Sequence, residues 1–119
     1  MQLGLALNYG SRDEITRAVQ NISRKVKDQK IRVADIDAEL VSNHLFTAGM
    51  PDPDLLIRTS GEFRVSNYLL WQIAYSEIHI TEVLWPNFRD LDFYKAIVDY
   101  TGRDRRFGKV RGEAESVKA

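Results

Sequence analysis

The chain has no cysteine, so neither a disulfide scaffold nor a zinc–thiolate centre can organise it, and its composition suits a reducing compartment. Its 17 Lys and Arg residues are balanced by 17 Asp and Glu. That removes the global positive field on which nucleic-acid and anionic-membrane binders draw, so any anion site must be local. The apolar runs fall far short of the ~18 residues of a spanning helix, and no basic segment and apolar core of a signal peptide stand at the N-terminus. Internal repeats and low-complexity linkers are also missing. What remains is an ordinary globular composition, 44% apolar and 29% charged, which argues against disorder, collagen or a coiled coil. At 119 residues the chain is of single-domain length, enough to hide roughly 65% of its unfolded surface. A soluble, cytoplasmic protein is expected.

Charge is unevenly placed. Seven basic and three acidic residues lie from Arg12 to Arg32, whereas Val33 to Ile57 holds Asp35, Asp37, Glu39, Asp52 and Asp54 with no Lys or Arg. A second basic cluster, Arg103, Arg105, Arg106, Lys109 and Arg111, is interrupted by Asp104. Solvated helix faces and a polar tail account for such runs.

Leu3, Leu5 and Leu7, with small residues between, predict a buried strand. Asn8-Tyr9-Gly10-Ser11 supplies turn chemistry, and Ile15, Ala18, Val19, Ile22 and Val26 recur at helical spacing, which predicts a helix from Arg12 to about Lys27. Asp35 or Asp37 can cap a second helix carrying Ile36, Leu40, Val41 and Leu45, ended by the Gly49–Pro53 breaker. Leu55–Ile57 reads as a buried strand, Thr59–Gly61 as a loop, Ser66 as the cap of a short helix through Ile73, and Glu77–Thr81 as an alternating strand. A last helix runs from about Leu91 to Asp99 or beyond, with Phe93, Ile97 and Val98 inward. Alternating strands and helices predict an α/β fold, a parallel β-sheet flanked by helices.

The chemistry concentrates between Asp54 and Glu77. In open parallel sheets ligands sit beyond the carboxyl ends of strands, and Arg58 emerges where Leu55–Ile57 stops. Hydroxyls and a close-approaching backbone follow at Thr59, Ser60 and Gly61, then Arg64 and Ser66 at the expected helix start. Guanidinium forks, hydroxyls and free helix-start amides are the donors a diphosphate needs. The same residues could instead form structural ion pairs, Arg58 with Glu62 or Arg64 with Asp54. A carboxylate such as Glu77, at a strand start near bound diphosphate, could hold Mg²⁺; a lone Glu is otherwise a surface acid. His44 and His79 are separated and lack a partner constellation, so they read as helix and strand residues, and Asp52 and Asp54 as turn formers rather than a metal pair.

The run DLLIRTSGEFRVSNYLLWQIAYSE, Asp54 to Glu77, resembles the signature of the cis-prenyltransferases, the isoprenyl transferase family that includes bacterial undecaprenyl diphosphate synthase. The likeness extends to Asn8-Tyr9-Gly10-Ser11-Arg12, similar to the family's Asn-Tyr-Gly-Gly-Arg with Ser at one glycine, and to Val83–Pro86 and Arg105–Gly108. The resemblance implies an enzyme that condenses isopentenyl diphosphate with an allylic diphosphate such as farnesyl diphosphate, with Mg²⁺, in cis. It assigns the diphosphate of isopentenyl diphosphate to Arg58, Arg64, Val65 and Ser66, and Mg²⁺ to Glu77. Arg106-Phe107-Gly108 matches an Arg-x-Gly that reaches toward the neighbouring subunit's site, which implies a homodimer and a substrate-binding role for Arg106.

Family members carry a His-x-x-Met-Asp-Gly-Asn-x-Arg-Trp loop with the catalytic Asp and the proposed proton acceptor, and these 119 residues do not contain it. Residues 1–110 therefore resemble the C-terminal half of the fold, with 111–119 as a disordered tail. No catalytic residue is expected in the chain, which alone should be inactive, and the family's sheet would keep about half its strands, leaving apolar edges exposed. A non-catalytic accessory subunit of a heteromeric cis-prenyltransferase is the alternative, opposed by retention of Arg58, Arg64 and Glu77. A nucleic-acid-binding module is the weakest reading, given the charge balance, so no nucleic acid is expected among the partners. The resemblance tilts toward an undecaprenyl-type enzyme, cytoplasmic and touching the membrane transiently through its lipid product.

Overall fold

A computed structural model describes residues 1–109 of the chain. The tail expected at 111–119, and Arg111 of the basic cluster, lie outside the described residues. The chain divides into two units, one of Met1–Asp52 with Val65–Ala74, the other of Pro53–Arg64 with the described residues from Tyr75 on.

In the first unit, helix α1 spans Ser11–Lys27, as its apolar period predicts. Acidic Asp13 and Glu14 stand in its first turn and basic Arg24, Lys25 and Lys27 in its last, each sign at the end of the helix dipole that favours it. The buried stripe is Ser11, Glu14, Ala18 and Ile22. Val19, expected inward, is exposed, because it lies one residue past Ala18 and so about 100° round the helix from the stripe. Helix α2 is short, Ala38–Ser42. Of the two candidate caps Asp37 is used, its side chain accepting from Leu40 N at 2.8 Å, while Asp35 accepts from Arg32 N and its guanidinium. Beyond Ser42 the amides of His44 and Leu45 reach back three residues, to Val41 and Ser42. The helix thus tightens and stops, yet still delivers Leu45 to the core with Ala18 and Ile22.

Two expectations fail in this unit. Residues 1–7 form no strand, and Leu3, Leu5 and Leu7 are exposed: a strand exists only where its N–H and C=O groups are paired, and no described strand pairs here. The segment after Ser66 is not a helix but a series of turns. Ser66, Asn67 and Leu69 have φ of 55°, 57° and 45°, and left-handed residues cannot propagate a right-handed helix.

The second unit holds the sheet. Strand β1, Leu55–Arg58, pairs in parallel with β2, Glu77–Ile80, in the register Leu55↔Glu77 to Arg58↔Ile80. Helix α3, Asp90–Thr101, packs on β2 and buries Ala96. Phe93 and Val98, expected inward, are exposed; the stripe that meets β2 is centred on Ala96 instead. A parallel pair of strands with α3 packed on it makes the fold class α/β.

Candidate functional site

Arg58 closes β1, half-buried, at the carboxyl end of a parallel strand. The loop beyond it is less open to a ligand than its composition suggests. Thr81 N donates to Arg58 O at 2.9 Å, Gly61 N to Thr81 O at 2.9 Å and Ser60 N to Val83 O at 3.0 Å. The ladder therefore continues past the strand and consumes the Ser60 and Gly61 amides. Gly61 suits this turn, since its φ of +64° is one that residues with a Cβ adopt at a cost. Arg64 is exposed and pairs with Glu62, Nη1 to Oε2, at 2.7 Å, a surface contact of small net worth. The helix start expected to present amides at Arg64 and Ser66 does not exist. Val65 and Ser66 belong to the first unit, Val65 half-buried and Ser66 exposed.

Glu77 begins β2 opposite Leu55, three registers from the Arg58–Ile80 pair. Side chains alternate faces and a strand rises about 3.3 Å per residue, which puts Arg58 and Glu77 on opposite faces and about 10 Å apart along the ribbon. The structure thus does not gather these two residues. It brings Glu77 together with Arg106, in the wall of a cavity of about 400 Å³ shared with Tyr75, Ser76, Arg105 and Phe107. Arg106 is exposed, with Nε 3.4 Å from Asp104 Oδ2.

A network runs behind Glu77. Arg103 Nη1 donates to Glu77 Oε2 at 3.1 Å and to Ile78 O at 2.8 Å, and Nη2 to Asp99 Oδ2 at 2.6 Å. His79 Nδ1 lies 2.8 Å from the same Asp99 oxygen. Hydrogen bonds from His79 and then Arg103 hold the Asp99 carboxyl below the usual carboxylate range. A depressed folded-state value means stability that is complete above the unfolded value, about 4, and is lost as pH falls through the folded one. Asp99→Asn should therefore flatten the decline in melting temperature below about pH 4. An unchanged acid slope would remove Asp99 from that linkage.

Among the described residues no three His, Cys, Asp or Glu side chains form a group able to hold a metal ion. Glu77 offers one carboxylate, with Oε2 turned to Arg103. A single carboxylate facing a cavity suits Mg²⁺, which keeps several waters and takes one or two carboxylates plus substrate phosphates.

Residues 1–108 match the prenyltransferase family model described as undecaprenyl diphosphate synthase. The chain belongs to this family. It is 54% identical over 108 residues to the isoprenyl transferase of Prochlorococcus marinus subsp. pastoris, and 55% identical over 109 residues to that of Chlamydia trachomatis. These matches take in 91% and 92% of the chain but 40% and 43% of the relatives, so the chain spans about two-fifths of their length. Among solved structures, lavandulyl diphosphate synthase from Lavandula x intermedia, in complex with dimethylallyl diphosphate, is similar with a TM-score of 0.85 and 41% identity, over 88% of this chain and 45% of that one. A probable undecaprenyl diphosphate synthase from Campylobacter jejuni gives 0.68 and 36%, over 88% and 46%. The resemblance and the α/β fold class expected from sequence are both borne out. No helix of the described residues is long and apolar enough to cross a membrane.

Polar side chains outside the expected site are also engaged. Asp54, read as a turn former, is paired with Arg105 Nη1 at 2.5 Å, which leaves Arg64 to Glu62. The Arg105 guanidinium lies 4.5 Å from the Phe107 ring centre and also donates to Tyr75 O. In the first unit Glu14, 2% exposed, accepts from Phe46 N at 2.7 Å, from Gln72 Nε2 at 3.3 Å and from the Tyr9 hydroxyl. Its signal was available: Glu14 lies on the 11, 14, 18, 22 stripe that the helix buries.

Proposed function

We propose that this chain carries the isopentenyl diphosphate site of a cis-prenyltransferase, and that the whole protein condenses isopentenyl diphosphate with an allylic diphosphate such as farnesyl diphosphate. The observation that carries this reading is Arg58 at the carboxyl end of a parallel strand, in a chain that matches the family over residues 1–108. Two diphosphates repel each other, and planar guanidinium forks offset that repulsion better than ammonium groups. Arg58 and Arg64 supply the forks, Ser66 a hydroxyl and Val65 a backbone amide. Because the neighbouring Ser60 and Gly61 amides are already engaged, the guanidinium forks are the main donors this loop offers a phosphate.

Glu77 is the carboxylate of this chain that would hold Mg²⁺, in the cavity wall it shares with Arg106 and three registers from Arg58, with its remaining ligands from water, phosphate or other residues. The ion supplies positive charge to the diphosphates and to pyrophosphate as it leaves. Arg106, in the same cavity wall as Glu77, belongs to the proposal as a substrate-binding residue that serves a second subunit in a homodimer. The site of action is the cytoplasm, with transient membrane contact through the lipid product, of undecaprenyl type.

Calorimetric titration of the 119-residue chain tests the reading. Isopentenyl diphosphate should bind, and the chain alone should not elongate farnesyl diphosphate, because its sequence lacks the motif to which the resemblance assigns catalysis. Elongation above a no-enzyme control would refute the assignment of catalysis elsewhere, and absence of binding would refute the site.

A further inference from the structure

The turn Asn8–Arg12 takes no part in the function proposed above, yet its geometry bears directly on Ser66. Helix α1 has no side-chain cap of its own: Gly10 occupies the cap position at φ −141° and ψ 128° and has nothing to offer. Its first two amides go to a residue remote in sequence. Ser11 N donates to the Asn67 carbonyl at 2.8 Å, and Arg12 N donates to Asn67 Oδ1 at 2.9 Å. The contact is returned two residues on, where Leu70 N donates to Ser11 Oγ at 2.9 Å. Ser11, which stands where the family pattern has glycine, is fully buried. Gly10 makes room for the docking, since a Cβ there would lie 3.0 Å from Asn67 Nδ2.

The docked segment is the one with the unusual backbone. Ser66, Asn67 and Leu69 all lie at positive φ, a region that residues with a Cβ occupy at a cost and keep only where the surroundings over-determine it. Here the surroundings are the bonds to Ser11 and Arg12, with Gln72 held on the buried Glu14 carboxylate a few residues later. The start of α1 is consequently no anion site, because Asn67 uses two of the amides a phosphate would need.

We infer that Asn67 is a positioning residue: clamped by the first turn of α1, it fixes the left-handed backbone of Ser66 and so sets where the Ser66 hydroxyl is presented to a diphosphate. The inference rests on the reading that Ser66 binds the diphosphate of isopentenyl diphosphate, and it gives the Asn8–Arg12 motif a task as the clamp.

Three variants of the 119-residue chain separate this from a merely structural role. Asn67→Gly keeps access to positive φ and deletes the Oδ1 acceptor. Asn67→Asp keeps an acceptor of equal capping strength. Gly10→Ala leaves Asn67 in place and presses on its carboxamide, so it serves if Asn67→Gly fails to fold. Hydrogen exchange read by mass spectrometry over residues 65–70 should quicken about tenfold in Asn67→Gly and Gly10→Ala and stay within about twofold in Asn67→Asp. Calorimetric affinity for isopentenyl diphosphate should fall about fivefold to tenfold in the first two variants, the weight of one net hydrogen bond, and recover in Asn67→Asp. Unchanged exchange in both weakened variants overturns the clamp. Faster exchange with unchanged affinity, while Arg58→Ala loses binding, overturns its link to the diphosphate. Undiminished binding by Arg58→Ala identifies the site reading, rather than the clamp, as the part that failed.

Discussion

Arg58→Ala should weaken isopentenyl diphosphate binding by the chain about 100-fold, and Arg64→Ala about tenfold, as charge-assisted contacts to phosphate are worth roughly 1.5–3 kcal/mol each. The inequality follows from their surroundings. Arg58 is half-buried at the strand end, where charge is less screened. Arg64 is 67% exposed, so water screens its charge more fully and a phosphate gains less from it. Arg58→Lys should restore only part of the loss, because an ammonium cannot make two parallel bonds to one phosphate. Titration calorimetry at fixed ionic strength reads all three. Equal small losses at both positions would show that the two arginines do not meet the ligand.

Glu14→Ala should destabilise the first unit by about 3 kcal/mol, since it strands donors whose desolvation costs about 1–3 kcal/mol each, less whatever relaxation and entering water recover. The donors are Phe46 N, Gln72 Nε2 and the Tyr9 hydroxyl. Against a typical domain stability of 5–15 kcal/mol this is a large fraction, and the unit's buried apolar residues, Ala18, Ile22 and Leu45, have little to spare. Glu14→Gln keeps one acceptor oxygen and should cost about half as much. Denaturant unfolding measures both, and a loss below about 0.5 kcal/mol for Glu14→Ala would remove it as the hub. Tyr9 gives a second signal. Burial first, and then its bond to Glu14, push its phenol above the ordinary value, so in a folded Glu14→Ala chain the tyrosinate absorbance should appear at lower pH.

Local pattern was sufficient where it coincided with local forces. The extents of helix α1, the two strands and α3 follow from apolar pattern and turn punctuation, though not the face that α3 buries, and Arg58 at a strand end follows from the length of the Leu55–Ile57 run. The sequence was opaque where long-range hydrogen bonds decide. Leu3–Leu7 looks like a strand by composition, but strandedness depends on a partner that composition cannot supply. Tyr68–Ile73 has helical spacing, yet the left-handed residues at 66, 67 and 69 prevent that helix. Candidate site residues were legible as residue types, and their grouping was not: Glu77 joins Arg106, and Arg58 stands at the far end of the ribbon, because parallel register, not proximity in sequence, sorts them.

The borrowed cap of α1 also orders events in time. A 17-residue helix is marginal on its own in water, and the groups that complete this one, Asn67, Leu70 and Gln72, leave the ribosome some fifty residues after it at roughly 5–20 residues per second. Helix α1 must therefore wait seconds for its closing bonds while β1, part of the other unit, is synthesised in between. The interleaving rules out folding the two units one after the other along the nascent chain, and it makes the 66–72 segment the latch on which the first of them closes.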